Sequence, residues 1–279
     1  MKKIEFTNNN NSNVTNALIE NIEGLTSLYA QKLLKNKDVL VNGKRINTNI
    51  NLFGQENIAC FVDESKLKKF YEIIFEDENV CILFKNSGIE VCDGEHNIEK
   101  FLNKHGTYFA IHRLDRNTEG LVIFAKNLKA KTELDKSIKD KSKITKLYTA
   151  EVYGIPKKQE MQLEGYLKKD ASKSLVKIFN SPQKDAVKIQ TNFKVLSTNQ
   201  ITSLLEVSLI TGKTHQIRAH LAHIGLPIIG DGKYGDYKAN QKFNARIQHL
   251  TATKLIFNLV GPLSYLNNLR FETTPSWMK

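Results

Sequence analysis

The stretch that most constrains the fold of this chain spans residues 110–127 and reads AIHRLDRNTEGLVIFAKN. In it, Asp115 lies between Arg113 and Arg116, and a glycine turn leads into an apolar run, Leu121 to Ala125, that predicts a strand. If that strand is central in a sheet, well-packed backbone holds the charged loop at its N-terminal end. Loops on such a rigid scaffold often carry catalytic groups.

Charge alone does not decide between a catalytic and a structural role for Asp115. An aspartate between two arginines is, in an arbitrary protein, more often a surface ion pair. The net charge of +12 over 279 residues is more informative, because it favours a polyanionic partner, nucleic acid first and an anionic membrane second. No apolar run approaches the length of a membrane-spanning helix, and no signal-peptide core follows the N-terminus. We therefore expect a nucleic-acid partner and no membrane.

The first 62 residues predict a small unit of their own. Apolar residues at helical spacing indicate helices near residues 14–22 and 27–34, and the sequence Val41-Asn42-Gly43 predicts a β-hairpin. Helix, helix and VNG hairpin together resemble the αL RNA-binding module of a small-subunit ribosomal protein and tyrosyl-tRNA synthetases. Such a module would bind RNA by phosphate contacts, and a solvated basic face is the alternative. The RNA-binding candidates are Lys32, Lys35, Lys44 and Arg45.

Residues 63–69 form a charged break that we interpret as a linker, and residues 70–279 as one larger domain. The pattern predicts two strands within residues 73–86 and a turn at Ser87-Gly88. It then predicts a short helix at 98–102, a surface helix at 130–138 and a strand at 146–154. Residues 157–188 are basic and suggest a loop with short strands. A helix after Gly212 and a strand within 247–257 complete the prediction.

Three motifs in this larger part resemble those of the RluA-type pseudouridine synthases, in the same order along the chain. The first is the segment from His112 to Leu121, with Glu119 where the family usually has serine. The second contains Tyr148 and Ala150. The third is the segment HQIR, residues 215–218, followed by the segment GLPIIGD at residues 225–231, and Lys213 replaces a frequent arginine just before it.

The resemblance implies an isomerase that converts uridine in RNA to pseudouridine without a cofactor. Asp115 would be the catalytic carboxylate, Tyr148 would pack beneath the target base, and Arg218 would pair with Asp115. The remaining motif residues would contact RNA, with phosphates around the extruded nucleotide as the main partners: His112, Arg113, Arg116, Lys213, His215 and Gln216. The implied fold class is α+β, a mixed and mostly antiparallel sheet preceded by the αL module.

Other chemistries lack their signatures. The segment Gly212-Lys213-Thr214 has no earlier glycine to form a P-loop. The three histidines at 215, 220 and 223 follow no HExxH pattern, so we expect no metal. The substrate class that fits best is large-subunit ribosomal RNA, with tRNA as the alternative, and a non-catalytic RNA-binding assembly factor as the rival of another class. The three cysteines form no CxxC pair and resemble reduced thiols, so we expect a cytoplasmic protein. We also expect a monomer that does not act on DNA.

Overall fold

The computed structural model describes residues 1–94, 96–170, 172 and 174–278. Its six α-helices within those residues are α1 (Val14–Asn21), α2 (Ser27–Lys35), α3 (Ile98–Leu102), α4 (Leu128–Ser137), α5 (Gln216–His223) and α6 (Tyr237–Lys242). The strands of the N-terminal part are β1 (Lys2–Thr7), β2 (Ser12–Asn13), β3 (Val39–Val41), β4 (Lys44–Ile46), β5 (Asn51–Leu52) and β6 (Asn57–Val62).

The strands that follow in the chain are longer on average. They are β7 (Tyr71–Glu76), β8 (Val80–Lys85), β9 (Phe109–Ala110), β10 (Glu119–Ala125), β11 (Ile144–Tyr153), β12 (Glu160–Asp170), β13 (Leu175–Phe179), β14 (Val187–Thr198), β15 (Thr202–Leu209), β16 (Leu250–Phe257) and β17 (Phe271–Glu272). All eleven belong to one sheet, whose main path runs β13-β12-β14-β15-β11-β16-β10-β8-β7.

The N-terminal part is a four-stranded sheet, β1-β6-β3-β4, with α1 and α2 packed on it. Side chains of Asn13 and Thr26 accept hydrogen bonds from the first turns of the two helices, which fixes where each begins. Asn42 and Gly43 both have positive φ, as a two-residue hairpin turn requires. The two helices and the hairpin predicted from the sequence are therefore confirmed, whereas the αL resemblance and the domain boundaries stay predictions.

The segment 63–69 packs against both neighbours. Glu64–Lys66 forms a 3-10 turn, and the Lys68 amide donates to the carbonyl of Gly24 in the N-terminal part. The Lys68 ammonium group donates to the carbonyl of Ser87 in the large sheet. Backbone and side chain of a single lysine thus tie the first sheet to the turn that supports the candidate site.

The strand β10 lies inside the large sheet between β8 and β16, and all seven of its residues are buried. Its pairing with β16 is parallel, while the other pairings in the described part of this sheet are antiparallel. Gly120 allows this parallel contact, because a Cβ there would lie 2.4 Å from the backbone nitrogen of Ala252. The α+β fold and the central position of this strand agree with the sequence prediction.

The prediction of a loop with short strands for residues 157–188 was wrong. The strand β12 extends over eleven residues and is followed by β13, both at one end of the large sheet. Leu163 and Leu167 alternate with exposed polar residues along β12, and both are buried. Gly165, which lies between the two leucines on the buried face, obscured this period of two in the sequence.

Candidate active site

The Asp115 loop connects β9 to β10 and is fixed by hydrogen bonds from two directions. The Thr118 amide donates to the Asp115 carbonyl at 3.0 Å, which closes a turn. The Arg116 carbonyl accepts from the Gly88 amide at 2.8 Å and from the Lys85 ammonium group at 3.0 Å. The turn predicted at Ser87-Gly88 therefore supports the Asp115 loop through the hydrogen bond of Gly88 to Arg116.

Lys85 is a fully buried residue that sequence reasoning did not identify. Besides the Arg116 carbonyl, its ammonium group donates to the carbonyls of Asn86 and Ile89. Burial lowers the pKa of Lys85 to about 7. Three acceptors match the three donors of a charged ammonium group, so we assign Lys85 the charged form and a role in holding the loop.

Arg218 joins the Asp115 loop to helix α5 across 103 residues of sequence. Its Nη1 donates to Asp115 Oδ2 at 2.8 Å, and its Nε and Nη2 donate to Asp231 Oδ2 and Oδ1 at 2.7 and 2.9 Å. Burial by itself would lower the pKa of Arg218, but the two carboxylates raise it. The guanidinium group is therefore a permanent cation. Asp231 sets its plane through Nε and Nη2, and Nη1 faces Asp115.

Asp231 is the second functional residue that sequence reasoning did not single out. Its side chain is fully buried and accepts, in addition to Arg218, the amides of Lys233 and Tyr234. Burial acts to raise the pKa of Asp231, but the hydrogen bonds and charge of Arg218 hold it below the ordinary value. The segment GLPIIGD carried the only signal, an acidic residue directly after a buried apolar run.

His215 begins α5 with a left-handed backbone, φ +57°, and points toward the same carboxylate. Its Nε2 lies 3.8 Å from Asp115 Oδ2, and its Nδ1 is 2.9 Å from the Tyr234 hydroxyl. The same hydroxyl accepts from the Val176 amide at 2.8 Å, so it holds the imidazole ring beside the carboxylate. Burial lowers the pKa of His215, which disfavours its charged form.

Asp115, His215 and Arg218 line a cavity of about 260 Å³. Asp115 reaches into it with 18% of its side chain exposed. Tyr148 on β11 forms part of the wall, and burial together with the charge of Asp115 raises the pKa of its hydroxyl. The cavity thus combines a carboxylate, a neutral phenol ring and a guanidinium group in a site partly shielded from water.

Three predicted RNA-contacting residues lie at or next to the cavity: Arg113 and Lys213 line it, and Arg116 directly follows Asp115 in the chain. Arg113, Arg116 and Lys213 are all exposed. Arg113 forms an ion pair with Asp93, and the Nε of Arg116 donates to the Gly88 carbonyl at 3.2 Å. Each of these cations has solvent-facing donors left for a phosphate.

Two predicted RNA contacts need correction. The Gln216 side chain is buried, and its amide donates to the Gln190 carbonyl and accepts from the Thr211 hydroxyl, so it closes the turn before α5 rather than facing RNA. His112 accepts a hydrogen bond from the Ile123 amide, and burial lowers its pKa well below 6.5. It is therefore a neutral residue of the cavity wall and offers no cation to a phosphate.

In the N-terminal part, Lys32, Lys35 and Lys44 are exposed. Arg45 is also exposed, but its guanidinium group donates to the Lys37 carbonyl at 2.6 Å and lies over the ring of Phe61. The three lysines are thus available for phosphates, whereas Arg45 also stabilises the hairpin.

Glu119, the departure from the family pattern, is a buried carboxylate at the start of β10. It accepts hydrogen bonds from the Thr251 hydroxyl at 2.9 Å and from the amide and hydroxyl of Ser276. Trp277 stacks on His249 and also donates to Thr251. Ser276 of the C-terminal segment, together with Thr251, therefore provides the hydrogen bonds of the Glu119 carboxylate. Glutamate in place of the family's usual serine leaves the turn at Gly120 intact.

Within the described residues, no group of three or more histidine, cysteine, aspartate or glutamate side chains is arranged to hold a metal ion. Across that same part of the chain, no helix is both long enough and apolar enough to cross a bilayer.

A family model described as RNA pseudouridylate synthase matches residues 61–223, which include the Asp115 loop, Tyr148 and Arg218. This chain belongs to the RNA pseudouridine synthase family. It is an isomerase of the RluA type. An uncharacterized RNA pseudouridine synthase of Mycoplasma capricolum is 30% identical over 88% of both chains. A ribosomal large subunit pseudouridine synthase C of Buchnera aphidicola is 27% identical over 93% of this chain and 94% of its own.

Solved structures agree with this fold. Human RNA Pseudouridylate Synthase Domain Containing 1 superposes with a TM-score of 0.61 at 20% identity, over 74% of this chain and 83% of that one. Human RNA Pseudouridylate Synthase Domain Containing 4 gives a TM-score of 0.59 at 23% identity. Both likenesses concern the fold alone.

Proposed function

We propose that this pseudouridine synthase modifies uridines of large-subunit ribosomal RNA and that Asp115 is its catalytic carboxylate. One observation carries the assignment of Asp115: it is the carboxylate that reaches into the cavity, and Arg218 holds it there at 2.8 Å. Asp231 is fully buried and its oxygens are already used by four donors. It therefore orients Arg218 and does not meet the substrate.

The reaction breaks the bond between base nitrogen N1 and sugar carbon C1′, turns the base, and rejoins it through ring carbon C5. C5 then releases its proton and N1 takes one up, so the product is an isomer. A carboxylate beside the sugar can supply the electron pair that this cleavage requires. Arg218 fixes the direction of one Asp115 oxygen, and the Nε2 of His215 lies 3.8 Å from the same oxygen. Because the Arg218 donor is already in place, little reorganisation is needed when the nucleotide enters.

The target base must leave its helix to reach Asp115, and it then needs a new stacking partner. Tyr148 offers an aromatic ring inside the cavity. Arg113, Arg116 and Lys213, at or next to the cavity, would take the flanking phosphates, and the exposed lysines 32, 35 and 44 would bind RNA at a distance from the cavity. This arrangement separates chemistry in the cavity from electrostatic positioning on the surface.

The choice of ribosomal RNA rests on the relatives. Proteins of Buchnera and Rickettsia named ribosomal large subunit pseudouridine synthase C align with three quarters or more of this chain at 27–30% identity. The charge of +12 suits a large RNA partner. Such a substrate places the protein in the cytoplasm.

Pseudouridine mapping of total RNA from cells with and without the gene tests the substrate. We expect one or a few signals in large-subunit RNA to disappear and to return when the wild-type gene is restored. Loss confined to tRNA would refute the substrate and keep the chemistry. If every signal remains in a strain without a redundant enzyme, the protein acts as an RNA-binding assembly factor and the proposal fails.

A further inference from the structure

Lys146 is a cavity residue that none of the sequence motifs assigns. It lies on β11 two positions before Tyr148, a spacing that directs both side chains to one face of the sheet, and both line the cavity. The structure records neither a hydrogen bond nor an ion pair for its ammonium group with any described residue. A lysine enclosed in a protein without a partner is unusual, because burial of an unpaired charge is costly.

The surroundings of Lys146 do not compensate its charge. Burial and the neighbouring Lys141 lower the pKa of Lys146 to about 8. His112 also lines the cavity and is neutral. The charge of Lys146 helps to lower the pKa of His112. At pH 7 the ammonium form still predominates by about tenfold, since the pH is one unit below the pKa. The cavity therefore contains a cation available to a ligand.

The position of Lys146 favours the base over a phosphate as the ligand of this cation. Phosphates of an RNA strand remain at the surface, where Arg116 and Lys213 are exposed to meet them. Lys146 instead is partly buried beside Tyr148, the proposed stacking partner of the base. A uracil stacked on Tyr148 would bring its carbonyl oxygens into this part of the cavity as acceptors.

We propose that Lys146 stabilises the negative charge that develops on uracil when its bond to the sugar breaks. The proposal rests on the cavity being the site of the isomerisation. As the N1–C1′ bond breaks, its electron pair stays with the base and spreads over N1, O2 and O4. Asp115 supplies the compensating electron pair on the sugar side, directly to C1′ or through removal of the C2′ proton. Lys146 donates a hydrogen bond to a carbonyl oxygen and keeps its protons throughout.

The test compares Lys146→Met, Lys146→Arg and, as a phosphate-contact control, Lys213→Met. Each variant is assayed with enzyme in excess over a transcript of large-subunit RNA, and the RNA dissociation constant is measured over a range of salt concentrations. We expect Lys146→Met to lower the rate at saturating RNA about 100-fold, as for loss of one donor to a developing anion. Its affinity and salt dependence should stay those of the wild type, and Lys146→Arg should recover most of the rate.

Lys213→Met should instead weaken the RNA affinity and lower its salt dependence. The same pattern in Lys146→Met would make Lys146 a phosphate ligand and overturn the proposal, as would an unchanged rate and affinity. Failure of Lys146→Met to fold would also overturn it, because an unpaired ammonium group is not needed for folding. If the wild type modifies tRNA but not ribosomal RNA, only the substrate assignment fails, and the comparison is made on tRNA.

Discussion

Replacing Asp231 by asparagine removes the group that sets the orientation of Arg218. All the partners of the carboxylate are donors: Nε and Nη2 of Arg218 and the amides of Lys233 and Tyr234. An asparagine amide must place its NH₂ against at least one of them, and its least costly orientation faces Nε of Arg218. The variant therefore loses one charge-assisted hydrogen bond and the charge that balances a buried guanidinium group.

The size of the effect follows from this geometry. Removing one partner of a buried ion pair costs about 3–5 kcal/mol, and the lower end applies because Asp115 still contacts Arg218. A loss of about 3 kcal/mol lowers the melting midpoint by about 6–12 °C for a domain of this size. The rate at saturating RNA should fall about 100-fold, since a displaced Arg218 misplaces Asp115.

The melting midpoint can be followed by the fluorescence of Trp277, the single tryptophan of the chain, which stacks on His249 in the large sheet. Asp236→Asn is the matched control, because Asp236 caps α6 and asparagine caps a helix equally well. An Asp231→Asn protein with a midpoint within about 2 °C of the wild type and an unchanged rate would refute the argument.

Two further substitutions test the fold and the RNA-binding surface. Gly120→Ala should lower the free energy of unfolding by about 3 kcal/mol in denaturant titrations, because its Cβ would lie 2.4 Å from backbone of Ala252 at a φ of +124°. Gly232→Ala, which meets nothing within 4 Å, is the control. The double variant Lys32→Glu, Lys44→Glu should weaken RNA binding and reduce its salt dependence, measured by filter binding, with the rate at saturation unchanged.

Each of these two predictions has an outcome that would contradict it. Equal stability of the two alanine variants would mean that the parallel contact of β10 with β16 does not depend on glycine. An unchanged RNA affinity in the double lysine variant would mean that the N-terminal part is not an RNA anchor. Arg45 is left out of that variant, since its contacts with the Lys37 carbonyl and Phe61 would confuse binding with folding.

The sequence predicted those parts of the structure that depend on local pattern. The charged loop before a buried strand, the helix that carries Arg218 and the strand that carries Tyr148 all follow from periodicity and turn residues. These elements position Asp115 and Arg218, but it was the resemblance to the RluA-type motifs that singled out both residues as the centre of the candidate site.

The parts that the sequence did not predict depend on which face a side chain occupies. Lys85 and Asp231 are buried charges whose partners become visible only once the chain is folded. His112 and Gln216 are polar residues of conspicuous motifs, and nothing local indicates that the protein itself uses their hydrogen bonds. Gly165 interrupts the apolar positions of β12 and hid an alternation that leucines 163 and 167 reveal in the structure.

The most direct test of the central claim compares the purified wild type with Asp115→Asn on a transcript of large-subunit RNA. Asparagine keeps the size of the side chain and one acceptor for Arg218, so the cavity should persist. We predict that the wild type forms pseudouridine, that the variant forms none, and that both bind the RNA with affinities within a few-fold of each other. Pseudouridine formed by the Asp115→Asn protein would contradict the assignment of Asp115 as the catalytic carboxylate.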